Sequence, residues 1–272
     1  MRVDFFTGLP AFPPPRAEAF SPASWTWRWQ LMLSQMDRVD SAEERSALIS
    51  RYASGEGQRT MAFVNAHAFN LCVADGALAS NVLAADLVLR DGIGTKLACR
   101  LLGFPPGINL NGTDLIPELL PHFAGRKVAL FGTSSDTARR AAQRVAQLVG
   151  DDIIVDHGFH SDAHYVARAQ ADRPALILLA MGMPKQERVA AQLREALDHN
   201  VAIVCGGAIL DFLAGDARRA PRWMRRAGLE WVFRLINEPK RLFARYVRGN
   251  PLFLMRVLLA ASGFRATPRR SL

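Results

Sequence analysis

Six short apolar runs mark the middle of the chain, each followed by a polar turn and then by apolar positions three and four residues apart. The runs are TMAFVNA (60–66), ADLVL (85–89), KVALFG (127–132), DIIVD (152–156), ALILLAMG (175–182) and VAIVCGG (201–207). Runs this short with little alternation predict strands buried on both faces, and the periodicity between them predicts the covering helices. Helices are expected over Thr95–Leu102, from a cap at Thr113 or Asp114 to about Phe123, over an Ala/Arg stretch ending at Leu148, over 162–171 and over Lys185–Leu197. Two more precede the first strand, at Trp25–Met36 and Ala42–Ala53, and one follows it to about Ala79. Such alternation predicts an α/β fold, a Rossmann-like open parallel sheet with helices on both faces.

After Asp211 the pattern changes. Apolar residues recur at Val232, Leu235, Ile236, Leu242, Phe243, Tyr246 and Val247, while Arg234, Arg241, Arg245 and Arg248 are spaced to share the opposite stripe of one helix. Pro239 is expected to kink or restart it. Charge follows the same boundary. Residues 218–272 hold 14 of the 34 Lys and Arg but 2 of the 25 Asp and Glu, a balance of +12 against −3 for residues 1–217. A basic amphipathic helical appendage on an α/β body suggests a specific anionic surface as partner. The expected divisions are 1–55, 56–217 and 218–272, with the body folding without the last. Residues 1–24, rich in Pro and Ala, read as a loose leader lacking the apolar core of a signal peptide. No run reaches the ~20 apolar residues that cross a bilayer; PLFLMRVLLAA is interrupted by Arg256.

Ligands of open parallel sheets bind beyond the carboxyl ends of the strands. Polar turns follow the strands at Asn65-Ala66-His67, Asp91-Gly92-Ile93-Gly94, Gly132-Thr133-Ser134-Ser135, the run Gly182–Glu187, and Gly206-Gly207. Asp91 is either a helix N-cap or a general base for a hydroxyl nucleophile. Asn65 can satisfy a turn or join Asp91 in a site, and His67 reads first as a helix-start residue. Thr133, in FGTSSD, sits where backbone N–H groups suit a phosphate, although the run lacks a P-loop Lys and the third Gly of a dinucleotide fingerprint. Gln186 and Glu187 begin a helix and can also bond sugar or ribose hydroxyls. Cys72, Cys99 and Cys205 have no zinc spacing and read as small buried hydrophobes. There is no Asp-x-Asp pair, so a departing diphosphate would be held by arginine rather than by a metal ion. No metal and no cofactor are expected.

NAHAFN, ADLVLRDGIG, NGTDLIPEL, GMPKQE and FLAGDARRAPRWMRRAGLEWVFRLINEPKRLFARY together resemble the WecG/TagA/CpsF glycosyltransferase family, from about Met61 to Pro251. That resemblance implies an inverting, metal-independent transfer from a UDP-sugar to a polyprenyl-diphosphate-linked saccharide at the cytoplasmic face of the cell membrane, in cell-surface or exopolysaccharide assembly. It assigns the base to Asp91. Substrate contacts fall to Asn65, Asp114, Gln186 and Glu187, and the arginines near diphosphate and membrane are Arg234, Arg241 and Arg245. The sequence departs from the family at Phe63, where many members have Thr, and at Asn109-Leu110-Asn111-Gly112, where many have Arg-Val-x-Gly. Glucose, N-acetylmannosamine and its uronic acid all stay open as donor sugars. Homo-oligomerisation is open too. The rival reading is a nucleic-acid-binding protein that uses the +12 segment; against it stand the missing recognition motif and an apolar stripe too wide to leave solvated.

Overall fold

The computed structural model describes residues 25–264. The expectation of a loose leader over residues 1–24 lies outside them. Six strands form one parallel sheet: β1 (Gln58–Val64), β2 (Leu87–Arg90), β3 (Val128–Gly132), β4 (Ile153–Asp156), β5 (Leu176–Ala180) and β6 (Val201–Cys205), in the order β2-β1-β6-β5-β3-β4. All six predicted strands are present. β1, β5 and β6 each stop two residues before their apolar runs end, because the polar turn takes the last residues.

Successive strand residues feed opposite cores, as the two-residue repeat of a strand requires. Met61 and Phe63, with Val128, Leu130 and Val204, face a core closed by the helices Ala42–Ser54, Gly112–Leu119 and Ser135–Val149. Ala62, Val64 and Val88 face another, closed by Trp25–Ser34, Ala66–Ala74, Gly92–Leu102 and Gly249–Phe264. On that same side, Phe131 and Ile203 meet the helices Asp162–Asp172 and Lys185–Ala196. Helix starts carry the side chains that satisfy orphan N–H groups: Ser41, Asn65, Asp75, Asn111, Ser134 and Ser161. The cap near 113 is therefore Asn111, not Thr113 or Asp114.

The two ends of the described chain share a core. Phe253, Val257 and Ala260 are buried, and Phe253 lies against Trp29 at 5.3 Å and Phe69 at 6.0 Å between ring centroids. Deleting residues 218–272 would uncover that apolar cluster, contrary to the expectation that the body folds without them. Emptying the Phe253 position alone costs about 3–5 kcal/mol.

The segment between body and last helix is broken into short pieces: Arg222–Arg226, Glu230–Asn237, Pro239–Phe243, a π turn at Ala244–Arg248, then Gly249–Phe264. Pro239 restarts the helix as expected, after Glu238 leaves helical geometry at φ −132°, ψ 54°. The break and the wide π turn reset the rotational phase, so the four arginines do not share one stripe.

Candidate active site

The register of β1 on β2 pairs Val64 with Arg90, so the next residues, Asn65 and Asp91, emerge side by side. Asn65 Nδ2 donates to Asp91 Oδ2 at 3.3 Å, while Asn65 Oδ1 accepts from the backbone N–H of His67 and Ala68. Both readings of Asn65 hold at once: it caps a helix and steadies a carboxylate. Asp91 occupies the N-cap position of Gly92–Leu102 but makes no side-chain cap bond. Its carboxylate, steadied by Asn65, lines the cleft instead of capping the helix. Gly92, at φ +86°, carries the turn away with open space above it. Asn109 Oδ1 accepts from Gly92 N at 2.8 Å, and Arg90 donates to the carbonyls of Gly92, Pro106 and Gly107.

Above Asp91 lies a cleft of about 1000 Å³, with one wall from the sheet edge and the other from the appendage. Asn65, His67, Asp91, Asn111 and Thr113 line the first; Arg225, Glu230, Trp231, Arg234, Arg245 and Tyr246 line the second. The Nε atoms of Arg225, Arg234 and Arg245 are buried without a hydrogen-bond partner among the described residues. Arg234 stands 5.5 Å over the Phe212 ring and Arg245 5.4 Å over Tyr246. These aromatic faces hold the guanidinium groups without neutralising them.

Electrostatics follow from this confinement. Burial raises the Asp91 carboxyl above the ordinary carboxylate range, against the hydrogen bond from Asn65 and the nearby Arg245, Arg234 and Arg90. Burial likewise lowers Arg245, opposed by Tyr246 and reinforced by Arg234. His67 is pushed down to about 4 by burial and by Arg245, so it stays neutral at pH 7. Glu230 is raised by burial, opposed by Arg219, with Asp91 and Asp114 adding to the rise. A base next to cations can accept a proton on one side of a reaction while the cations take negative charge on the other.

The other expected residues lie elsewhere. Asp114 does not line the cleft; it accepts from Asn111 at 2.7 Å and pairs with Arg219 and Arg225, tying the appendage to the body. Thr133 Oγ1 donates to Asp211 Oδ1 at 2.6 Å, away from the cleft. Gln186 and Glu187 are buried: Gln186 Nε2 donates to Glu187 Oε1, and Gln186 Oε1 accepts from Gly207 N. Burial pushes Glu187 up to about 7. Arg241 is exposed, ion-paired with Glu238, and outside the cleft. Phe63 packs in the core against Gly112 instead of facing ligand.

Arg90, Arg219, Arg225, Glu230 and Trp231 were missed. One signal for Glu230 was available, since it is one of two acidic residues in the strongly basic last 55. It bridges to Arg219 at 3.2 Å.

Residues 29–267 match the model of the Glycosyl transferase WecG/TagA/CpsF family. The chain belongs to that family. Among its relatives is the N-acetylglucosaminyldiphosphoundecaprenol N-acetyl-beta-D-mannosaminyltransferase of Bacillus spizizenii, 31% identical over 163 residues, covering 58% of this chain and 63% of the relative. The enzyme of the same name from Bacillus subtilis strain 168 is 29% identical over the same shares. That of Staphylococcus aureus strain MRSA252 is 26% identical over 181 residues, 65% of this chain and 70% of the relative. The match thus spans 63% of the length of each Bacillus relative. In this WecG/TagA/CpsF family member the cleft lies at the carboxyl edge of β1 and β2, roofed by the chain's own Arg- and Trp-rich segment.

Proposed function

We propose that this protein is an inverting glycosyltransferase that moves a sugar from a UDP-sugar to a polyprenyl-diphosphate-linked saccharide. One observation carries the reading: a raised carboxylate and three arginines with unpaired buried Nε atoms face the same cleft. Asp91 takes the proton from the acceptor hydroxyl, which attacks the anomeric carbon from the side opposite the nucleotide. Arg225, Arg234 and Arg245 hold the diphosphate as it leaves, with charge-assisted bonds that stabilise its developing charge. Asn65 orients Asp91, and Trp231 gives the cleft an aromatic wall.

The relatives' names contain an N-acetylglucosaminyl diphosphoundecaprenol acceptor and an N-acetylmannosaminyl donor group. An acceptor of that type accounts for the apolar surface around the cleft. Ile93, Leu97 and Leu101 on one helix, and Leu254, Leu258 and Leu259 on the neighbouring one, are exposed. Among the described residues no helix is long and apolar enough to cross a membrane. In this reading the two helices rest on an anionic leaflet with Lys96, Arg100 and Arg248 beside them, each surface cation contributing about 1 kcal/mol. Against the rival nucleic-acid reading, Arg219 and Arg225 are ion-paired with Asp114, and Arg225, Arg234 and Arg245 line the cleft.

Purified protein, a panel of UDP-sugars and a synthetic polyprenyl-diphosphate saccharide, read by mass spectrometry, test this. One UDP-sugar should be transferred at a rate indifferent to added Mg²⁺ or Mn²⁺. Failure with every donor, or an absolute need for either ion, would overturn the proposal.

A further inference from the structure

At the opposite edge of the sheet, the end of β4 gathers side chains that ligate metals. Asp156 closes β4, His160 lies in the following turn and His164 in the first turn of Asp162–Asp172; one ligand atom from each falls within 4.8 Å of the others. His164 Nε2 stands 3.2 Å from Asp156 Oδ2, and His160 Nε2 3.9 Å from Asp156 Oδ1. Ligands at zinc–nitrogen distance on a tetrahedron are about 3.3 Å apart. The first separation is already that of a coordination edge, and the second exceeds it by about half an ångström. Apart from this contact with each other and the more distant Arg168, the buried atoms Asp156 Oδ2 and His164 Nε2 have no hydrogen-bond partner among the described residues. The rings of His157, His160 and His164 stack at 3.9 Å spacing.

We propose that Asp156, His160 and His164 form a site for one divalent transition-metal ion of the zinc class, with water completing the shell. None of the three lines the cleft, so the ion is structural and separate from the transfer chemistry. Its grip falls on the turn 157–161. Gly158 N donates to the Thr133 carbonyl at 2.8 Å, and Lys185 Nζ donates to the carbonyls of Gly158 and His160 at 2.9 and 2.6 Å. An ion here fastens the edge strand to its helix and stiffens the turn on which the end of β3 and the head of Lys185–Ala196 rest. Two cations oppose it. Arg168 Nε lies 3.8 Å from Asp156 but 2.8 Å from Asp172, which takes most of its charge, and Lys185 is held by the carbonyls. The stacked rings must also splay so that their lone pairs converge, a χ2 rotation open to side chains 33% and 37% exposed. Asp-x₃-His-x₃-His is neither a cysteine-based zinc spacing nor an Asp-x-Asp pair, and the fold is what brings its three side chains together.

Zn²⁺ titrated into the untagged, chelator-stripped full chain tests the site, with calorimetry for affinity and melting temperature followed in parallel. One equivalent should bind and raise the melting temperature. Asp156→Asn, His160→Ala and His164→Ala should each weaken binding by about 10–100-fold or more, while leaving the metal-free melting temperature near that of the parent. His122→Ala, outside the cluster, should bind as the parent does. Absence of saturable binding, or equal binding by a His160→Ala/His164→Ala double variant, would refute the site. Should Asp156→Asn unfold the chain, the half-exposed histidine variants decide alone.

Discussion

The two ends of the sheet carry the same kind of turn and use it oppositely. After β1 and β2, Asn65 donates to Asp91; after β3, Thr133 donates to Asp211, and Thr137 and Arg140 bond Asp216 nearby. In the second case each carboxylate is matched by hydroxyl or guanidinium donors, and the polar groups serve only to fasten helix Ile209–Leu213 and its following turn to the sheet. In the first, the appendage forms a roof and brings Arg234 and Arg245, for which no acidic ion-pair partner is found among the described residues. Chemistry is possible where charge has been left unmatched.

The largest test of this contrast is Asp91→Asn. It should lower turnover by about 10²–10⁴-fold with the fold intact by circular dichroism, the range expected on losing a general base; near-normal turnover would remove Asp91 from the mechanism. Next come Arg234→Ala and Arg245→Ala, each expected to cost about 10²–10³-fold in kcat. Arg241→Ala, on the solvent side of the same segment, should stay within about fivefold. Equal losses at all three would mean that the cleft does not select among them.

A third test uses two buried titrating groups. His67, at about 4, is protonated first in the unfolded chain, so its share of stability declines as pH falls from about 6.5 to 4. Glu187, at about 7, is protonated first in the folded chain, so its share declines as pH rises from about 4.5 to 7. Between about pH 4.5 and 6.5 the two slopes oppose each other. Relative to the parent, His67→Asn should leave stability falling with pH and Glu187→Gln should leave it rising, by about 1–3 kcal/mol across the window in urea unfolding. Parallel curves for all three proteins would show that these groups titrate normally. Smallest of all, Thr133→Val should cost about 1 kcal/mol of stability and leave turnover nearly unchanged. A large kinetic loss there would move part of the site to the other end of the sheet.

Much of this arrangement was legible in the sequence. Apolar runs gave all six strands, and the position of Asp91 just beyond β2 marked it before any contact was known. Asn65 was legible for the same reason, because its strand neighbours that of Asp91. Less legible was the fate of residues whose role depends on what packs over them. Gln186 and Glu187 begin a helix at the correct edge, yet the turn at Gly206-Gly207 closes over them. Asp114 follows its motif, yet Arg219 and Arg225 reach it from more than a hundred residues away.

Local hydrophobic period and turn chemistry, which act over a few residues, were enough to set the elements, their parallel pairing and the edge where ligands gather. Only the folded chain determined which arginines face that edge. Glu238 leaves helical geometry and Ala244–Arg248 widens into a π turn, so the spacing that places Arg234, Arg241 and Arg245 on one stripe of a continuous helix instead turns two of them inward and one to solvent. Phase along a broken helix is fixed by the surface it packs on, here the core around Phe253 and Trp29, and residue spacing carries no record of that surface.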